Sequence, residues 1–209
     1  MDGNDVRSTR ADTRRQAILE VAREVFLQEG YAAASMSAIA ARVGGSKATL
    51  YTYFPSKEEL FAAIIAEECR TGAAPALDEL RRGGEVAEVL VRAGRKFMRF
   101  LTSEKVLALH RLVIAESIRF PELGRAFYEA GPQRGLQLLT EFMTEAMAAG
   151  KLRKADPELA AEQFINLCKA GHHQKCLWNI GCIPSEADIA RNVDRAVETF
   201  MAAYGTQRG

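Results

Sequence analysis

Apolar residues along this chain recur every three to four positions and almost nowhere every two, which predicts helices rather than strands. Ile18, Leu19, Ala22, Val25 and Phe26 lie on one side of a first helix, and Gly30 after them is placed to stop it. Ser35 is positioned as the N-cap of a second helix whose buried face is Met36, Ile39, Ala40 and Val43. Gly44, Gly45 and Ser46 form a turn. Lys47 to Phe54 is then one short helix, ended by Pro55, because the residue before a proline avoids the α region. Ser56 to Glu59 has the spacing of a capping box, with Ser56 as cap and Glu59 reaching back. It opens a fourth helix with Leu60, Phe61, Ile64 and Ile65 on its apolar face.

The stretch "TGAAPALDELRRGG", rich in glycine and alanine around Pro75, marks a boundary. Longer stripes follow. Val86, Leu90, Ala93, Phe97, Phe100 and Leu101 form one, and Val106, Leu109, His110 and Val113 another. Pro121 and Pro132 sit where first-turn prolines are favoured. Leu136, Leu139, Met143 and Met147 run up to Gly150, and Asp156-Pro157 opens a helix carrying Phe164, Leu167 and Cys168. Ser185 caps a last helix with Ile189, Val193, Ala196, Val197, Phe200 and Tyr204 on one face. The expectation is an all-α protein of about nine helices.

Two short helices joined by a tight glycine turn have helix-turn-helix geometry. In the second of them only Leu50 and Phe54 read as core. Ala48, Thr49, Tyr51 and Thr52 project the other way, with Lys47 and Tyr53 at the flanks. Small and hydroxylated side chains suit base edges in a major groove, whereas Lys47, Tyr51, Tyr53 and Lys57 are long enough for phosphates. Ser35 and Ser37 stand at a helix start, where the free N–H groups favour a phosphate. An ordinary exposed helix would also tolerate such a face. Charge moves the balance. The whole chain of 209 residues has a net charge of only +1, yet Val6 to Lys57 holds eight basic residues against four acidic ones, compatible with a polyanionic partner. Arg7, Arg10 and Arg14 precede the apolar face of the first helix as an arm that suits a minor groove, or a solvated tail.

The residues "TRRQAILEVAREVFLQEGY…SMSAIAARVGGSKATLYTYFPSKEELF" resemble the DNA-binding domain of the tetracycline-repressor (TetR) family over about 13–65. The remainder, especially "RLVIAESIRFPELGRAFYEAGP" and "AAEQFINLC", is similar to the C-terminal domain of its AefR-like subgroup. The resemblance implies a homodimeric transcription factor, usually a repressor, released from its operator when a small-molecule effector enters the C-terminal domain. It implies DNA contacts at Thr49, Tyr51, Thr52, Tyr53 and Lys57. The chain then divides into a DNA-binding domain with its arm over 1–55, a connecting helix over 56–72, and a ligand-binding and dimerisation domain over 73–209. Gly45 departs from the family, which usually has a β-branched residue there, and is expected to loosen the turn.

In the second domain Phe97, Met98, Phe100, Leu101, Phe127, Tyr128, Phe142, Met143, Phe164 and Trp178 are candidates to line an apolar cavity, or else simply core. His110 and Cys168 add polar groups to that set. Ile189, Val193, Ala196, Val197 and Phe200 are the candidate dimer face, since two copies of the last two helices would make a four-helix bundle. In "CKAGHHQKCLWNIGC", Cys168 and His172 share a helix face, as do His173 and Cys176. A metal site or a thiol sensor is conceivable on that spacing, with core packing as the plain reading. An enzyme using Cys168 and His172 lacks any evident third member or oxyanion hole. No cofactor is expected. The absence of an apolar run of membrane-spanning length and of a signal-peptide core points to a cytoplasmic protein with reduced thiols at Cys69, Cys168, Cys176 and Cys182.

Overall fold

The computed structural model describes residues 3–181 and 183–206, with side chains from Ala11 onward. The side chains of Arg7 and Arg10, and all of Cys182, lie outside the described residues. The described chain is built of helices: α1 (Gly3–Ala33), α2 (Met36–Val43), α3 (Lys47–Tyr53), α4 (Lys57–Glu68), a π-helical turn (Cys69–Ala73), α5 (Ala74–Arg82), α6 (Val86–Leu101), α7 (Glu104–Glu116), α8 (Pro121–Ala130), α9 (Pro132–Ala148), α10 (Pro157–Lys169), α11 (His173–Leu177) and α12 (Glu186–Tyr204). Among the described residues the one β-type pairing is the isolated bridge Leu152–Gly205.

The expected signals act as caps and breaks. Gly30, at φ 80° and ψ 160°, interrupts α1 three residues before its end. Ser35 accepts the Ala38 N–H, Asp156 accepts from Glu158 and Leu159, and Ser185 forms a reciprocal capping box with Asp188. Ser56 accepts the Glu59 N–H at 3.0 Å, while the carboxylate bonded to its hydroxyl is that of Glu58. Pro121, Pro132 and Pro157 each open a helix.

By packing, the chain forms two compact units, Met1–Glu67 with Ala108–Ala130, and Glu68–Leu107 with Gly131–Gly209. The stretch around Pro75, expected to mark a boundary, is helical. Proline has no N–H for the bond to the fourth residue back, and the path from α4 to α5 takes the π-turn just before it. The Phe100 ring packs there on Gly72, within 2.4 Å of where a Cβ would stand.

In the first unit Ile18, Leu19, Ala22, Phe26, Ile39, Leu50 and Phe61 are buried. Phe26, Tyr31 and Phe61 form a ring cluster with centroids 5.5–5.8 Å apart. Segment 108–130 joins this unit through Phe120, whose ring meets Tyr31 edge-on at 5.3 Å. In the second unit α6, α9, α10 and α12 share one core that includes Leu90, Met98, Met143, Phe164, Val193 and Phe200. Gly94 lets α6 approach closely, since a Cβ there would lie 2.8 Å from Val193 Cγ1.

The candidate dimer face is corrected by this core. Ile189, Val193, Ala196, Val197 and Phe200 are 0–4% exposed in the single protomer. They fill the space between α12, α6 and α10 and are closed to a second copy. An apolar stripe reads the same whether it meets its own chain or another.

Candidate nucleic-acid interface

The reading face is set by the turn between α2 and α3. Gly44 takes the left-handed conformation (φ 72°) and its N–H bonds back to Ala41 O, while the Gly45 N–H bonds to Ala40 O. These bonds close the end of α2. Ser46 then caps α3, its Oγ accepting the Thr49 N–H at 3.0 Å and lying 2.8 Å from Thr49 Oγ1. Beyond its place in the expected turn, Ser46 is thus the cap of α3. The cap was legible in its position three residues before Thr49.

Leu50 and Phe54 are buried at 2% and 3% and anchor α3 against the rest of the unit. Lys47, Ala48, Thr49, Tyr51 and Thr52 are exposed, Tyr53 is half-buried, and Ser35 and Ser37 are exposed at the start of α2. The structure thus leaves the predicted DNA set at least partly exposed on α1, α2 and α3, with two exceptions. Arg10 falls outside the described side chains. Lys57 turns inward: its ammonium donates to Tyr31 O at 2.7 Å and Ala34 O at 3.1 Å, and lies 4.3 Å from the Tyr31 ring centroid. Desolvation lowers its pKa, countered by the charges of Glu58, Glu116 and Glu122. The expected phosphate contact is corrected accordingly, because two of three ammonium hydrogens hold the corner between α1, α2 and α4. Tyr31 completes that corner by donating to Glu58 Oε1 at 3.1 Å.

Three basic side chains frame α3. Lys47 Nζ stands 5.7 Å over the Tyr51 ring, and the Arg15 guanidinium 5.3 Å over Phe54. Arg14 Nη2 donates to Gly44 O at 3.3 Å and occupies the place a Gly45 side chain would take, 2.6 Å from a built Cβ. The departure at Gly45 is therefore filled by arginine.

The ligand candidates divide. Met98, Leu101, Met143, Phe164 and Cys168 belong to the packed core of the second unit, with Phe97, Phe100 and Phe142 against it. His110 and Phe127 pair edge-on at 4.9 Å in the first unit. Trp178 and Tyr128 are 63% and 51% exposed. Phe142 does line an open groove of about 560 Å³ with Leu77, Leu80, Val86 and Leu138, edged by Arg81, Glu141, Glu145 and Lys151.

In the cysteine-histidine stretch Cys168 and Cys176 are buried. Burial pushes the Cys168 thiol up to about 12 and Cys69 to about 11, away from the reactive thiolate. Burial, then the Lys169 charge, pulls His173 down to about 4. Among the described residues no three His, Cys, Asp or Glu side chains are grouped to hold a metal.

Known proteins agree with this construction. The profile described as "Bacterial regulatory proteins, tetR family" matches residues 18–64, and "AefR-like transcriptional repressor, C-terminal domain" matches 88–206. The chain belongs to the TetR family of transcriptional regulators. It is 29% identical to the transcriptional activator FasR of Mycolicibacterium smegmatis, covering 93% of this chain and 80% of that one. Among solved structures, a TetR-family regulator from Mesorhizobium loti MAFF303099 superposes with a TM-score of 0.81 at 29% identity, covering 94% of this chain and 99% of that one. The flavonoid-responsive regulator FrrA does so with a TM-score of 0.78 at 34% identity and the same coverage.

Proposed function

We propose that this regulator is a cytoplasmic homodimeric repressor that binds an inverted-repeat operator through α3 and is released by an aromatic effector. The observation that carries the reading is the outward face of α3: five consecutive positions apart from Leu50 offer small, hydroxylated or basic groups to solvent, while Leu50 and Phe54 fix the helix beneath. Such a helix matches the width and chemistry of a major groove. A two-fold dimer reads two half-sites and multiplies the affinity of so short a helix. Among the described residues no helix is long and apolar enough to cross a membrane, which suits a protein working on DNA.

The effector class rests on the likeness to FrrA and on the aromatic and aliphatic wall around Phe142. The test is selection from random duplex DNA by the full chain, followed by competition with a panel of flavonoids. The expected product is an inverted repeat with half-site centres about 34–36 Å apart, from which a flavonoid dissociates the protein. Failure to enrich any sequence would sink the DNA reading. An enriched operator that no flavonoid releases would leave the regulator standing and reject the effector class.

A further inference from the structure

The hydroxyl groups on the face of α3 differ in what they can offer. Thr52 Oγ1 donates to Ala48 O, one turn back, at 3.0 Å. A threonine hydroxyl has one hydrogen and two acceptor lone pairs. Toward anything outside the helix Thr52 is therefore an acceptor only. Thr49 is different: it faces Ser46 Oγ at 2.8 Å, an arrangement in which either oxygen can donate, so it retains both capacities.

In the major groove the donors on base edges are the exocyclic amino groups, N6 of adenine and N4 of cytosine. The N7 and O6 atoms of guanine and the O4 of thymine all accept. Donation by Thr52 to any of those acceptors requires breaking its bond to Ala48 O and rotating the side chain. Accepting from an amino group requires neither.

We propose that Thr52 determines specificity by accepting a hydrogen bond from one exocyclic amino group, adenine N6 or cytosine N4, in each operator half-site. This rests on α3 being the helix that enters the groove. It goes further by fixing the direction of one hydrogen bond and hence the class of base atom read.

The test uses the full chain and the duplex it selects from random DNA. Each half-site position is replaced in turn by an analogue lacking the amino group (purine for adenine, pyrimidin-2-one for cytosine) or lacking N7 (the 7-deaza purine). Binding is followed by fluorescence anisotropy for wild type, Thr52→Val, which keeps the shape and loses the hydroxyl, and Thr52→Ser, which keeps the hydroxyl. Circular dichroism confirms that the variants fold. At one position per half-site, amino deletion should weaken wild type and Thr52→Ser about two- to tenfold, the range of one neutral hydrogen bond, and leave Thr52→Val unchanged. The proposal is overturned if Thr52→Val responds to every amino deletion as wild type does. It is equally overturned if the Thr52-dependent loss follows removal of N7. If wild type selects no sequence, the experiment stops before the analogue step. The DNA reading has then failed, and this inference fails with it for a separate and recognisable reason.

Discussion

Lys57 and Arg14 show how a flexible cation is decided by its nearest carbonyl. Both belong to the basic N-terminal segment, and both are long enough for a phosphate. Lys57 instead satisfies Tyr31 O and Ala34 O, two acceptors left where α1 ends and α2 has yet to begin. Lys57→Met should leave those carbonyls without their donor and cost about 1–3 kcal/mol, the range for an unmade hydrogen bond. The unfolding midpoint should drop. The slope of log affinity against log salt should stay that of wild type, whereas Lys47→Ala should flatten it by about one unit. Equal flattening in both variants would return Lys57 to the phosphates. Gly45 is not among the positive-φ glycines, so an alanine there adopts the same backbone. Its Cβ meets only the mobile tip of Arg14. Gly45→Ala should therefore stabilise the protein by about 0.4–1 kcal/mol through the unfolded chain, and detach Arg14 from Gly44 O. A lower denaturation midpoint would mean that the arginine contact outweighs this gain.

Among the features that fasten the helices of the second unit are a close approach at Gly94 and a buried carboxylate, Glu79. Gly94→Ala would press a methyl against Val193 Cγ1, a β-branched group with no free end to swing away. A loss of about 1–3 kcal/mol is expected, seen as a fall of about 2–4 °C in Tm per kcal/mol. Glu79 is 2% exposed and is bonded by Lys96, Arg92 and Arg82, tying α5 to α6. Those bonds, from Lys96 first, hold its carboxyl down at about 2 against an ordinary 4.5. With the folded pKa below the unfolded one, the stabilisation is full above about pH 4.5 and is lost as pH falls toward 2. Glu79→Gln should shallow the acid limb of a stability–pH curve over that window, and an unchanged limb would place the acid sensitivity elsewhere. At this scale the sequence was informative wherever a rule is local. Ser35, Asp156, Ser185 and the opening prolines were read correctly because caps act within one turn. The apolar faces emerged from periodicity. The partner of each face did not, because periodicity carries no address. Val193 and Phe200 were assigned to a second copy and lie in the protomer's own core. Trp178 was assigned to a cavity and stands in solvent. The segment around Pro75 reads as a boundary in sequence because glycine, alanine and proline signal a loop unless neighbouring helices hold the segment. On α3 the polar face was legible, since seven residues anchored by Leu50 leave few choices. The inward turn of Lys57 was not, because its partners are carbonyls, which every residue has.

Across the whole molecule, the chain passes between the two compact units inside α4, inside α7 and at the junction of α8 with α9. A regulator must carry the effector's preference along such elements, and an effector shifts the equilibrium only through its differential affinity for two states. Within the first unit, α4 and segment 108–130 converge on the same corner. Lys57 at the start of α4 holds Tyr31, Phe120 packs edge-on against the Tyr31 ring, and Glu116 accepts the Ala32 N–H at 3.4 Å. This corner lies where α1 ends ahead of α2 and α3, so we infer that an effector which displaces it would move α3. Phe120→Ala should accordingly leave operator affinity close to wild type when no effector is present and reduce the effector's power to release DNA. Coupling free energies of this kind are about 1–3 kcal/mol, or about 5- to 150-fold in affinity, so most of that factor should disappear. Ile64→Val, which trims a side chain buried at 2% on α4, probes the other route and should change the coupling by less, since one methylene is lost rather than a ring. The measurement is the ratio of operator affinities with and without a releasing effector, in wild type and in each variant. A ratio preserved in Ile64→Val and lost in Phe120→Ala assigns transmission to segment 108–130. The reverse assigns it to α4, and a ratio preserved in both removes this corner from the signalling path.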